Sequence, residues 1–488
     1  MQQAARIRRN SFFSLLSSGI RFLTNIFLFL GIARFYGPEV FGQFTAAHTL
    51  STLFLLLADF GLDLLFTTEV ARQRADADRL FRSFAAVKLL FSGVAVIGMW
   101  LIPLAHDVSA TTRWLIYIFS LSVAFNALMN FFFALFKSFE QLQHETRVSF
   151  IANAVLLILL IMLGIFHAPI WLFAALFTAT RALGLVLAAV TAARFVRLQR
   201  PSFNMAEWKA VMRQGWVFGV YLLCGTLFFQ LDTLLLAWWQ GDHAVGIYQS
   251  VMKLVALTLA LPEVANSALL PVFSRFYHED EPRWARWGRL LNKTLWLLAL
   301  PIALIFFVYA ENVIQLLYGL EKFSSAVPLM RVAALIILIR FAWETCGLML
   351  TTSGRQFVKM VIVVIATILT IALNWYAIPR YGTYGAALVS LLTNLFVAAG
   401  FFWSARSFFV SWTLDARYLI PGVLTVILGV ILRNAPALNF WCGLSVIIAF
   451  HSLVFYFIGY TIAERRAVLV SVGNRWQGIN KLFHSLRA

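Results

Sequence analysis

Charge is scarce in this chain of 488 residues: Asp, Glu, Lys and Arg together make up 12%, against 61% hydrophobic residues. A water-soluble fold carries about 25% charged residues, so a soluble enzyme is excluded. Cysteine is almost missing as well. Cys224, Cys346 and Cys442 stand far apart in apolar stretches, which rules out a CxxC metal site and a disulfide framework. The chain has no Walker loop, HExxH, GxSxG or strand-following GxGxxG. ATP hydrolysis and the chemistry of those other motifs therefore lack their residues, and neither catalysis nor a cofactor is expected. Long loops are missing too, none running much beyond about twenty residues, so a membrane polysaccharide polymerase or ligase would lack an extramembrane platform.

What the chain does have is apolar runs of membrane-crossing length, about 20 residues each. Fourteen are read, near 11–33, 41–66, 83–105, 114–136, 149–166, 169–193, 214–239, 245–272, 290–309, 329–350, 358–377, 383–405, 418–432 and 440–462. The first follows Arg6, Arg8 and Arg9 and is longer than the apolar core of a removable leader, so it is read as a span. The expected fold is an all-α polytopic membrane protein.

The net charge of +18 would suggest nucleic acid in a soluble domain. With both termini placed on one face, only Arg34, Arg113, Lys322, Arg331, Arg380 and Arg433 lie in loops of the other face. Arg21, Lys88, Arg181, Lys253 and Arg340 fall inside spans, and all other cations sit on the first face. Lys and Arg accumulate on the cytoplasmic side. Both termini are therefore expected in the cytoplasm, and no nucleic acid partner is needed.

The chain also repeats itself. Gly37-Pro-Glu-Val-Phe-Gly42-Gln-Phe44 after the first span matches Gly241-Asp-His-Ala-Val-Gly246-Ile-Tyr248 after the seventh, at an offset of 204 residues. Six spans separate the copies, so both halves keep the same membrane orientation. The expected division is a six-helix lobe over 1–200, a second over 201–410, and two extra helices with a basic tail over 411–488.

Charges inside spans point to function, because each costs about 2.5–3.5 kcal/mol at the bilayer centre. Arg21 lies at mid-span, either to grip phosphate in bidentate fashion or to pair with Asp59 or a carbonyl. Lys253 and Asp232 have similar depths and are read as a pair, gating or merely neutralising. Arg181 has no carboxylate at helical spacing and is a second cavity candidate. Arg340 and Glu344, four apart, read as a structural pair. Lys88 is close enough to its helix end to reach the surface. His48 could titrate near neutrality or simply pack, and with Asp59 and Asp232 it is a candidate for ion coupling or gating.

Ala33-Arg-Phe-Tyr-Gly-Pro-Glu-Val-Phe-Gly42 and Leu57-Ala-Asp-Phe-Gly-Leu62, then Asp232-Thr-Leu-Leu-Leu236, Ala244-Val-Gly-Ile-Tyr248, Leu270-Pro-Val-Phe-Ser274, Gly354-Arg-Gln356 and Ile378-Pro-Arg-Tyr-Gly382 resemble the polysaccharide transporter family. Its members include O-antigen-type lipid-linked oligosaccharide flippases, within the multidrug/oligosaccharidyl-lipid/polysaccharide exporter superfamily. The resemblance implies two six-helix lobes around a central cavity that opens alternately to each side, with Arg21 and Lys253 matching cavity cations of related lipid II flippases. Helix 2 departs from that pattern in having no Arg or Lys within its span. The implied cargo is a polyprenyl-pyrophosphate-linked oligosaccharide, driven by H+, Na+ or membrane potential, with polysaccharide assembly machinery as a possible partner. The alternative in the same superfamily is a cation-coupled multidrug exporter.

Overall fold

The computed structural model describes residues 2–165, 168–197, 201–202, 205–409, 416–434, 439–461 and 464; within its helices the side chains at 2–12, 14–15, 17–18, 205–208, 210–222, 224, 407–409 and 416 are not described. The side chains of Arg6, Arg8, Arg9 and Cys224, and the expected basic tail beyond Glu464, lie outside the description. Among the described residues there are helices and no strand.

Among the described residues fourteen long helices follow one another: α1 (2–36), α2 (38–59), α3 (Ala77–Ala105), α4 (Ala110–Ser138), α5 (Leu142–Ile165), α6 (Ile170–Ala192), α7 (205–240), α8 (242–279), α9 (Glu281–Val308), α10 (Ala326–Thr352), α11 (356–381), α12 (383–409), α13 (Ala416–Arg433) and α14 (Phe440–Val454). Ten continuous helical runs among the described residues are long and apolar enough to cross a membrane. Three of them are two helices joined end to end at Gly37, Gly241 and Gly382, and the 18-residue α13 completes the fourteen. The chain is an all-α multi-pass membrane protein, as expected from its apolar runs.

The repeat is visible in the backbone. Gly37 has φ 81°, ψ −178° and Gly241 has φ 79°, ψ −177°, a conformation that side-chain-bearing residues rarely adopt. Each break turns the chain by the same geometry. Five residues after each break the two copies meet: a Cβ on Gly42 would lie 1.7 Å from the Asp242 carbonyl oxygen, and one on Gly246 would lie 1.8 Å from that of Pro38. The contact is reciprocal and leaves no space for a side chain. Beside it the Asp242 carboxylate accepts hydrogen bonds from Ser109 (3.2 Å) and Thr112 (2.9 Å), where Ser109 caps the start of α4.

The helices form two compact units. The first comprises 1–253 with 317–326 and 363–389; the second comprises 254–316, 327–362 and 390–488. In the first, α4 packs against α3, α5, α6 and the α1–α2 segment, around a core that includes Phe66, Phe81, Phe84, Phe131 and Phe136. In the second, α13 and α14 pack on α9 through Leu304, Leu428, Leu432 and Ile447.

Candidate functional site

A cavity of about 610 Å3 opens inside the first unit, lined from α1, α2, α4, α5 and α6, a size suited to a small ligand or head group. Its polar lining is unusual for spans this apolar: Arg21, Asn25, His48, Asp59, Asp63, Asn126, Asn130, Lys137, Glu145 and Arg181 all reach it. Such groups are costly inside a bilayer and persist where they face protein or water.

Arg181, on α6, is 6% exposed. Its guanidinium lies 4.5 Å over the ring of Phe177, one helical turn earlier, and its Nε has no hydrogen-bond partner among the described residues. No carboxylate lies within ion-pairing distance of it among the described residues, so its charge is held by an aromatic face and aimed at the cavity. An aromatic face offsets part of a desolvated cation's cost, by about 2 kcal/mol.

Arg21 is a third exposed, with Nη1 3.2 Å from Glu145 Oε1 and 3.5 Å from Ser149 Oγ. Its partner is therefore Glu145, and not Asp59, which the sequence offered as one alternative. Glu145 also faces Lys137 Nζ at 3.5 Å, so two cations share one carboxylate and the cluster keeps a positive excess.

Asp59 is taken elsewhere. Lys88 Nζ lies 2.6 Å from Asp59 Oδ1 and 2.7 Å from Asp63 Oδ1, with the lysine wholly buried. The expectation that Lys88 reaches the surface is overturned: two carboxylates one turn apart hold it inside. The helix breaks between them at Phe60 (φ 41°) and Gly61 (φ 79°), and Leu62–Arg72 continues as a separate helix.

His48 is packed among rings, edge-on to Phe29, Phe119 and Phe177 at 5.2–5.7 Å and stacked on Phe44. Lys253, on α8, places Nζ 4.0 Å over Phe29. Lys253 and Arg181 both act electrostatically on His48, and Arg21 acts on Arg181. Basic groups thus follow one another through Phe29, His48 and Phe177.

The expected Lys253–Asp232 pair is not formed. Asp232 accepts hydrogen bonds from Tyr248 Oη (2.7 Å) and Asn374 Nδ2 (2.6 Å); these neutral donors satisfy the carboxylate and leave Lys253 to its aromatic face. In the second unit Arg340 lies 5.7 Å over Trp343 and feels both Glu344 and Glu263, while Glu344 accepts from Asn266 at 3.4 Å. Arg340 and Glu344 therefore belong to a wider network than a lone pair. Sequence reasoning missed Glu145, the three cavity asparagines and the aromatic supports; the spacing Phe177–Arg181 and Asp59–Asp63, four residues each, was the available signal.

Comparison with known proteins places these features in a family. Residues 7–277 match the family model described as polysaccharide biosynthesis protein, and residues 219–376 match the MatE model. The chain is 26% identical over 150 residues to the teichuronic acid biosynthesis protein TuaB of Bacillus subtilis, covering 30% of each chain. It is 29% identical over 171 residues to the probable flippase AglR of Haloferax volcanii, covering 33% of this chain and 35% of that one. The chain thus spans about a third of the length of these curated relatives. The structure of the lipid II flippase MurJ in an inward closed conformation superposes with a TM-score of 0.74 at 13% identity, over 94% of this chain and 99% of that one, a likeness of fold alone. With more than half of its length matched, the chain belongs to the polysaccharide biosynthesis protein family.

Proposed function

We propose that the chain is a flippase that carries a polyprenyl-pyrophosphate-linked oligosaccharide from the cytoplasmic to the outer leaflet of a bacterial inner membrane, with both termini cytoplasmic. The observation that carries this reading is Arg181, a buried guanidinium with an unpartnered Nε facing a polar cavity in membrane-spanning helices. Phosphates and sugars do not cross hydrocarbon unsolvated, whereas a polyprenyl tail stays in lipid. Arg181, Arg21 and Lys253 supply positive charge to the diphosphate, and the two lobes over 1–200 and 201–410 alternate in access with residues 411–488 appended. The process is transport, with no covalent change to the cargo.

Asp232, held by Tyr248 and Asn374, is the candidate for coupling to H+ or Na+, with His48 and Asp59 as further candidates and membrane potential as an alternative source of drive. Polysaccharide assembly enzymes are the expected partners. The test is flipping of a fluorescent polyprenyl-diphosphate oligosaccharide in proteoliposomes. Arg21→Ala is expected to abolish translocation while the protein still inserts, and undiminished flipping in that variant rejects the role of Arg21. The MatE match over 219–376 favours a second reading, a cation-coupled multidrug exporter. Efflux of a cationic dye by the same proteoliposomes would support it over the first.

A further inference from the structure

The second unit has a trench between α9, α10 and α13, with a volume of about 420 Å3. Leu300, Ala303 and Ala334 are its buried floor, and exposed Leu335 and Val426 lie along its rim. Its lining runs from Trp296 to Phe307 on α9 and from Gly422 to Arg433 on α13. At about 1.5 Å per residue each stretch is about 16 Å long, half of a hydrocarbon core of about 30 Å. The trench therefore begins near mid-membrane and ends on the face opposite the termini. The polar side chains of its wall are already satisfied: Trp296 Nε1 donates to the Tyr418 carbonyl at 3.3 Å, and Thr425 Oγ1 donates to that of Pro421 at 2.7 Å beside His451. Where the trench reaches the membrane face, Arg433 lines it. Arg331, at the same ends of the helices, is paired with Glu311 at 3.2 Å, whereas Arg433 is exposed and has no ion pair among the described residues.

We propose that this trench holds one acyl chain of an anionic phospholipid from the leaflet opposite the termini, with the lipid phosphate on Arg433. The site depends on the membrane-spanning fold and stands apart from the flippase reading. Lipid tails are as apolar as leucine, so no hydrophobic gain draws the chain in. It enters because it fills a space whose walls otherwise lack dispersion partners on one side. Selectivity comes from the head: a guanidinium donates two parallel hydrogen bonds to phosphate, and a glycerol head keeps the lipid's negative charge where a choline head cancels it. Length decides against a polyprenyl tail, which runs well past one leaflet, whereas an ordinary acyl chain ends near the midplane. The bound chain completes the packing of α13, which rests on α9, by filling the gap toward α10.

The experiment measures lipid binding to the full-length protein by native mass spectrometry, with phosphatidylglycerol, phosphatidylcholine of the same acyl chains, and a polyprenyl diphosphate without sugar as probes. The wild type should hold phosphatidylglycerol about fivefold more tightly than phosphatidylcholine, the scale of one arginine facing an anionic head. Phosphatidylglycerol with a photoreactive group at its chain end should label α9 and α13 near Trp296 and Gly422. Arg433→Gln should lower phosphatidylglycerol binding to the phosphatidylcholine level and leave the latter unchanged. Gly422→Leu should fill the inner end of the trench and abolish the labelling. Both variants should fold, since Arg433 is exposed and a Cβ on Gly422 would meet only Trp296, at 3.9 Å. Equal wild-type binding of the two phospholipids overturns the site, as does a phosphatidylglycerol advantage that survives Arg433→Gln. Labelling spread evenly over the outer helices overturns it as well, showing only the lipid annulus. Loss of the label on adding polyprenyl diphosphate would give the trench to that tail and overturn the phospholipid as occupant.

Discussion

The two units treat buried charge in opposite ways. In the second, Lys293 is 3% exposed and lies 3.0 Å from Glu464 Oε2, while Arg340 sits among Glu344, Glu263 and Trp343. The groove of about 420 Å3 between α9, α10 and α13 is lined almost entirely by apolar side chains such as Leu300, Leu304 and Val426. In the first unit, Arg181 and Lys253 rest on phenylalanine faces instead of carboxylates, beside a polar cavity. A cation matched by a carboxylate is already neutralised and serves the fold. One supported only by a ring keeps its charge for something that arrives later.

Within the first unit Lys88, like Arg21 beside Glu145, does meet carboxylates, and as the wholly buried one it sharpens the contrast most. Lys88→Met leaves Asp59 and Asp63 together without a counter-charge, and breaking a buried pair in this way costs about 3–5 kcal/mol. The expected outcome is poor yield and a much lower melting temperature in detergent; normal stability would show that this triad is not structural. Arg181→Ala should do the reverse, keeping the melting temperature within a few degrees while flipping falls about 100-fold, the scale of one lost charge-assisted contact or two. A large loss of stability there would erase the distinction between the units. Lys253→Ala should lower flipping by about tenfold, again with normal folding, and an unaltered rate would remove α8 from the site.

The smallest effect belongs to Glu464→Gln. Although partial burial raises its pKa, the Thr461 amide and Lys293 outweigh this and hold the carboxyl below its ordinary range. A depressed carboxyl stabilises above the unfolded-state pKa and loses that contribution as pH falls through the folded value. The wild type should therefore keep this contact at neutral pH and lose it only in acid. Glu464→Gln should lower the neutral-pH melting temperature by about 2–4 °C, with the difference vanishing in acid, and flipping unchanged. A transport defect in this variant would break the comparison from the other side.

Much of the fold was legible because hydrocarbon imposes a simple rule. Apolar runs of fixed length become helices, and every one of the fourteen stretches has its helix. The repeat was legible too, since Gly37 and Gly241 have backbone angles that glycine alone adopts readily. The pairing of charges was not. Depth along a helix placed Asp232 beside Lys253, but contact depends on rotation about the helix axis, which aims Asp232 at Tyr248 and Asn374. Likewise Glu145 lies outside the predicted span of α5, so its approach to Arg21 from 124 positions away could not be read from local spacing. The orphan amides Asn126 and Asn130 were hidden for another reason: uncharged residues in an apolar run raise no alarm until a cavity is seen beside them.

The backbone joint at Gly42 and Gly246 has its own consequence. Because carbonyl oxygens there occupy the very place of a methyl group, alanine at either site acts as a wedge, and the two duplicated corners lose contact along with the Asp242 clasp on α4. A single added carbon atom at either glycine is therefore enough to force the two corners apart.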